Sequence, residues 1–191
     1  MPTSLDDKPL HRGIERVLIS EQALAQRVEE LGAEIAGHYY GREPLMIGVL
    51  TGAFVFMSDL IRAMAIPVRV EFIAVSSYGL ATETSGVVRI LKDLSRPIEG
   101  EHVLLVEDII DSGLTLRYLL DVLHRRNPAS LSLAALLHKE KARAAEIVPD
   151  WVGFTIPDEF VVGYGLDVAE RYRNLPFVGV YRPDEKPVYS S

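Results

Sequence analysis

The chain contains no cysteine, and that one absence removes disulfide frames, thiol nucleophiles and cysteine-ligated metals together. It agrees with a reducing compartment, and a cytoplasmic location is expected. No stretch approaches the roughly 18 apolar residues that a membrane span requires. The opening MPTSLDDKPLHRG also lacks the apolar segment of an export signal. Neither membrane association nor export is expected. Positive charge is in deficit: 20 Lys and Arg stand against 27 Asp and Glu, a formal charge of −7. No basic stripe interleaved with aromatics is present, which argues against a nucleic-acid partner. The five histidines show no metal-ligand spacing. An anionic ligand would therefore need local groups or a metal to overcome the overall charge.

What is present describes one globular unit. With 48% hydrophobic and 25% charged residues in 191, the chain can bury about 70% of its unfolded surface. Residues 1–191 are read as a single domain. Ser20 can cap a helix whose apolar positions Leu24, Val28, Leu31 and Ile35 recur at helical spacing, with Gly41 as its stop. LMIGVL (45–50) reads as a buried strand, and a helix from about Phe54 to Met64 follows TGA and ends before Pro67. VRVEFIAVS (68–76) and VVRILKDL (87–94) form a hairpin around a long, polar, glycine-punctuated loop. EHVLLVE (101–107) is a strand, and Leu116, Leu119, Leu120 and Leu123 give the next helix its apolar face. LSLAALLH (131–138) is another strand, KARAAE (141–146) a short helix, and WVGFTI and FVVGYG short strands before a polar tail.

Strands alternating with helices imply an α/β fold, a mainly parallel sheet flanked by helices. Such sheets bind ligands at the carboxyl ends of their strands. Thr51 and Gly52, the acidic run after strand 101–107, and Lys139 each follow a predicted strand.

The acidic run, EDIIDSGLT, places Glu107, Asp108 and Asp111 within five positions. Like charges so close repel. Gly113 permits a tight turn, and Ser112 and Thr115 offer hydroxyls beside the free N–H groups of a helix start, a pocket suited to one phosphate. The run is neither a GxxxxGK[ST] loop, since Leu114 stands where a lysine would help, nor a dinucleotide fingerprint. A ligand-free acidic helix cap is the alternative, but a cap uses one carboxylate and not three. Acids beside a phosphate pocket make sense if Glu107 and Asp108 meet sugar hydroxyls and hydrated Mg²⁺, leaving Asp111 for proton transfer.

VLLVEDIIDSGLTL resembles the phosphoribosyl-diphosphate signature of the type I phosphoribosyltransferases, in the form found among hypoxanthine-guanine phosphoribosyltransferases. LTG at 50–52 resembles that family's pyrophosphate loop, and SSYG at 76–79 its mobile lid. IPDEFVVGYGLD with ERYRNLPFVGV resembles its purine-binding tail. The similarity runs from about residue 14 to 182. It implies the type I phosphoribosyltransferase fold, with a core near 36–156 and a small hood made of the N-terminal segment and about 157–191.

The resemblance also implies an activity: transfer of ribose 5-phosphate from phosphoribosyl diphosphate to hypoxanthine or guanine, with Mg²⁺ and release of pyrophosphate. On matching positions, Glu107 and Asp108 hold the ribose hydroxyls and the metal shell. Asp111, Ser112, Gly113, Leu114 and Thr115 cradle the 5′-phosphate, and Asp111 accepts the purine N7 proton. Leu50, Thr51 and Gly52, with a non-proline cis peptide, and Arg173 receive pyrophosphate. Thr51 stands where many members have lysine, which leaves the loop its backbone role.

Lys139 alone would read as a surface lysine and Phe160 as core. The resemblance makes Lys139 the donor to the 6-oxo group and Phe160 the ring that stacks on the base. Val161 gives backbone contacts to the purine edge. Asp167 lies on the purine side and reaches a second Mg²⁺, although Asp167 and Arg173 taken alone are ordinary surface charges. Val168 replaces an aromatic of some members. Ser77 and Tyr78 belong to the lid. Homodimers or homotetramers are implied. A xanthine-preferring enzyme shares nearly all these residues, and a nucleotide-sensing RNA-binding regulator would keep the phosphate loop but needs a basic face.

Overall fold

Alternation along two central strands decides where each helix packs. In the computed structural model, which describes residues 9–78, 87–140 and 147–182, strand β2 spans Leu45–Leu50 and β5 spans His102–Ile110. Successive strand side chains point to opposite faces. Leu45, Ile47, Val49, Val103 and Leu105 accordingly share one cluster with Leu116, Leu119 and Leu123 of α3 (Leu114–His124). Met46, Leu104 and Val106 share the other with α1 (Glu21–His38) and α2 (Phe54–Ala63). Burial on both faces is what makes these strands read as unbroken apolar runs.

Strands β3 (Arg69–Tyr78), β4 (Val87–Lys92), β6 (Ser130–Lys139) and β7 (Trp151–Ile156) complete a six-stranded sheet. Its order is β4-β3-β2-β5-β6-β7. All neighbours are parallel except β4, which returns antiparallel to β3 as the predicted hairpin requires. A second, antiparallel sheet joins β1 (Ile14–Ile19), β9 (Val178–Tyr181) and β8 (Val161–Val162). Its residues Val161, Val178 and Val180, with Tyr164 and Leu166 of the turn after β8, pack into the α1 and α2 cluster.

Several elements differ from expectation for physical reasons. β1 precedes the first element expected from the sequence, and it went unmarked because only Ile14 and Ile19 of IERVLI are buried and no alternation betrays it. FVVGYG contributes only Val161 and Val162 to a strand, since Gly163, Tyr164 and Gly165 all adopt positive φ. β5 continues past 107 because Ile109 and Ile110 pair with Leu137 and His138. Asp108 is therefore a strand residue like Glu107, not a loop residue, and Lys139 ends β6 rather than following it. Ser20 caps α1 as predicted, accepting the Ala23 N–H at 3.2 Å. The predicted helix at 141–146 and the lid beyond Tyr78, 79–86, lie outside the described residues.

α1 and α2 meet at Gly32, where an added Cβ would stand 2.6 Å from the Ala63 Cβ and 2.8 Å from its carbonyl. Gly32→Ala would gain about 1 kcal/mol of helix propensity, but overpacking costs about 1–3 kcal/mol. The variant is expected to be less stable than wild type in urea denaturation. A gain in stability would show that the two helices part freely.

Candidate active site

Glu107 and Asp108 are adjacent on β5; both border one cavity, and Asp108 also borders a second. Beyond them Asp111, Ser112 and Gly113 turn the chain into α3. Gly113 is the N-cap at φ 69, and no side chain caps the helix, so its first N–H groups are open to an anion. A cavity of ≈ 250 Å³ lies there, walled by Leu50, Gly52, Glu107, Asp108 and the residues Asp111, Ser112, Gly113 and Thr115. Leu114 is exposed and outside this wall.

Burial pushes the Asp108 carboxyl up to about 6, against the opposing hydrogen bond from the Ile109 N–H. Burial, and then the neighbouring Asp108 charge, raises Glu107 well above the usual carboxylate range. Glu107 Oε2 is buried without a hydrogen-bond partner. Carboxyls in this condition favour an arriving cation or hydroxyl donors. Among the described residues no three acidic or histidine side chains converge to hold a metal. Mg²⁺ commonly takes one or two carboxylates, water and substrate phosphates, so Glu107 and Asp108 fit a metal that arrives with a polyphosphate.

A second cavity of ≈ 250 Å³ shares Asp108, Ile109 and Asp111 with the first and adds Lys139, Phe160, Val161, Leu166 and Asp167. Lys139 is 8% exposed. Its Nζ donates to Asp111 Oδ2 at 2.8 Å and lies 3.3 Å from Asp158 Oδ1. Burial would lower the lysine pKa, but the two carboxylates outweigh it and raise the value. Phe160 is 54% exposed, so one ring face is free to take an apolar partner and the residue is not core.

The two sheets meet where glycine is required. The Leu50–Thr51 peptide is cis, and Thr51 itself is exposed. A Cβ on Gly52 would fall 1.6 Å from Asp108 Oδ2, and one on Gly165 would fall 2.2 Å from the Gly52 carbonyl oxygen. Arg173 donates to the Gly165 carbonyl at 2.8 Å and pairs with Asp167 Oδ1 at 2.9 Å. It faces a third cavity, of ≈ 310 Å³, together with Tyr164 and Asp59. Arg173 thus stands behind the Gly52 turn. Ser77 and Tyr78 close β3, paired through their backbones with Val88 and Val87.

Sequence reasoning did not find Asp158, Ile109 or Leu166. Asp158 sits within IPDEF with nothing in the spacing to mark it, and Ile109 and Leu166 read only as apolar residues.

Residues 18–169 match the phosphoribosyl transferase domain, and the chain belongs to that family. It is 52% identical over 170 residues to the hypoxanthine-guanine phosphoribosyltransferase of Bacillus subtilis, covering 89% of this chain and 94% of the relative. The crystal structure of a hypoxanthine phosphoribosyltransferase from Staphylococcus aureus superposes with a TM-score of 0.88 at 42% identity, over 97% of this chain and 99% of that one. A bifunctional protein TilS/HprT of Listeria monocytogenes is 50% identical over 93% of this chain, which spans 28% of that longer protein.

Gly52→Ala should force the Asp108 carboxylate out of its place. An overpacking cost of about 1–3 kcal/mol corresponds to a fall in melting temperature of roughly 5 °C. Calorimetry and a crystal structure of the variant test this. An unmoved Asp108 and an unchanged melting temperature would contradict the packing described.

Proposed function

We propose that this chain transfers ribose 5-phosphate from 5-phosphoribosyl 1-diphosphate to hypoxanthine or guanine, giving IMP or GMP and pyrophosphate. The observation that carries the reading is the pair of cavities joined at Asp108, Ile109 and Asp111. One suits a sugar phosphate and the other a planar base, and the two reacting partners would meet along their shared wall.

In the base cavity a cation and a carboxylate stand side by side, Lys139 and Asp111 at 2.8 Å. A 6-oxopurine carries an oxo acceptor next to a ring nitrogen, N7, that is protonated in the reacting base. Lys139, which has donors only, takes the oxo group, and Asp111 takes the proton. Phe160 stacks on the ring, and the backbone of Val161 meets its edge. The base N9 forms a bond to the anomeric carbon while the bond from that carbon to the diphosphate oxygen breaks. The N7 proton passes to the Asp111 carboxylate. Positive charge developing at the sugar is met by the nearby carboxylates.

At the other end, Ser112, Thr115 and the uncapped N–H groups of α3 hold the 5′-phosphate beside Asp111, Gly113 and Leu114. Glu107 and Asp108 accept from the ribose hydroxyls. The backbone at Leu50, Thr51 and Gly52, with Arg173 behind it, receives the diphosphate. Mg²⁺ bound with the donor would neutralise its phosphates, and Glu107, Asp108 and Asp167 are the residues that would hold it. Ser77 and Tyr78 lead into the segment that would cover the site and exclude water.

Steady-state rates with hypoxanthine, guanine, xanthine and adenine test the reading. Adenine presents an amino group to Lys139 and should be poorer by about 10⁴, the scale on which a hydrogen-bonding site rejects an unmatched analogue. Wild-type rates with adenine would overturn it.

Asp111→Asn should lower kcat by about 10² to 10⁴, the usual cost of a lost general base. Lys139→Met should raise KM for both purines and leave the donor KM nearly unchanged. Undiminished turnover in the first variant, or wild-type purine KM in the second, would remove those assignments. Chelation should abolish activity and added Mg²⁺ restore it.

A further inference from the structure

Behind the diphosphate end of the site the chain makes an unusual turn. Gly163, Tyr164 and Gly165 run at φ 100, 52 and 101, a path that non-glycine residues rarely take. Hydrogen bonds tie it to the 173–175 segment: the Tyr164 N–H donates to Leu175 O and the Gly165 N–H to Arg173 O, each at 2.9 Å. The turn sends the phenol of Tyr164, 7% exposed, down onto α2, where its hydroxyl donates to Asp59 Oδ2 at 2.5 Å. The other Asp59 oxygen is held by Arg62. Burial, reinforced by the Asp59 contact, pushes the phenol well above its ordinary value, so it remains a donor.

This bond joins two elements that matter at the site. α2 begins directly after the Leu50–Gly52 turn, at Phe54. Gly165, the residue after Tyr164, packs on the Gly52 carbonyl and accepts from Arg173. The phenol thus ties the helix that follows the Leu50–Gly52 turn to the 163–165 turn on which Arg173 is anchored, and lines neither of the two substrate cavities.

We propose that Tyr164 and Asp59 form a positioning latch that sets the Thr51–Gly52 backbone and Arg173 in register for the diphosphate group. The latch rests on the transfer activity proposed above. Its signature is selective: it acts on the diphosphate end of the donor and on pyrophosphate, and leaves the base cavity alone. A bond with a merely structural role would lower the melting temperature without distinguishing the substrates.

Tyr164→Phe removes the hydroxyl and keeps the ring. We expect about a tenfold rise in donor KM and in the Kd of magnesium pyrophosphate measured by calorimetry, equivalent to about 1.4 kcal/mol, with hypoxanthine KM within about twofold of wild type. Asp59→Ala should reproduce this split, the double variant should be no worse than either single one, and Asp59→Asn, which keeps an accepting oxygen, should recover most of the loss. Equal changes in donor and purine KM, or a lower melting temperature with no change in either, would overturn the latch. Normal transfer with no split between substrates removes the latch and leaves the function standing. Absence of transfer removes the function, and pyrophosphate calorimetry on wild type and variants still decides the latch, which falls if wild type does not bind or the variants bind equally well.

Discussion

The Asp108 carboxylate lies so close to the backbone of Gly52 that no side chain fits between them, and the Gly52 carbonyl meets Gly165 just as tightly. Three segments far apart in sequence are thereby stacked without intervening side chains. Everything else at this edge of the sheet follows from that approach: the turn into α2, the course of the hood around Tyr164, and the anchoring of Arg173 on the Gly165 carbonyl. Side chains at either glycine would separate the acids of β5 from the groups that must act with them.

The charge arrangement differs between the two ends of the site. Glu107 and Asp108 are held in surroundings that disfavour their ionised forms, with one Glu107 oxygen unpartnered. Lys139, by contrast, is already matched by Asp111 and Asp158. One end therefore has a demand for positive charge or hydroxyl donors, while the other is internally balanced and would be rearranged by a ligand that offers an acceptor and a proton. A protein with a formal charge of −7 can bind a polyanion when the positive charge needed travels with it.

The parallel sheet was legible because its strands are buried on both faces, and the unbroken runs LMIGVL and HVLLV have no other use. The turn into α3 was legible through Gly113 and its hydroxyl neighbours. β1 was not, since its middle residues face solvent and only pairing with β9 makes it a strand. The extension of β5 through Asp108 to Ile110 was hidden because two adjacent acids seldom stand inside a buried strand, and here β6 supplies the partner backbone beyond them. Asp158 and the Tyr164 to Asp59 bond depend on tertiary contact alone, and no local pattern encodes them. The roles of Phe160 and Lys139 came from family resemblance, whereas exposure of one and burial of the other are properties of the fold.

The hood sheet pairs β1 with β9, strands drawn from the two ends of the described chain, and Tyr172 donates to the Arg12 carbonyl across 160 positions. Contacts of such long sequence separation form slowly, because a large loop must close before they contribute anything. The six-stranded sheet, by contrast, grows largely from neighbouring units. During refolding, the pocket built on β5 and α3 is therefore expected to be complete before the wall supplied by Phe160 and Val161, the residues proposed to meet the base.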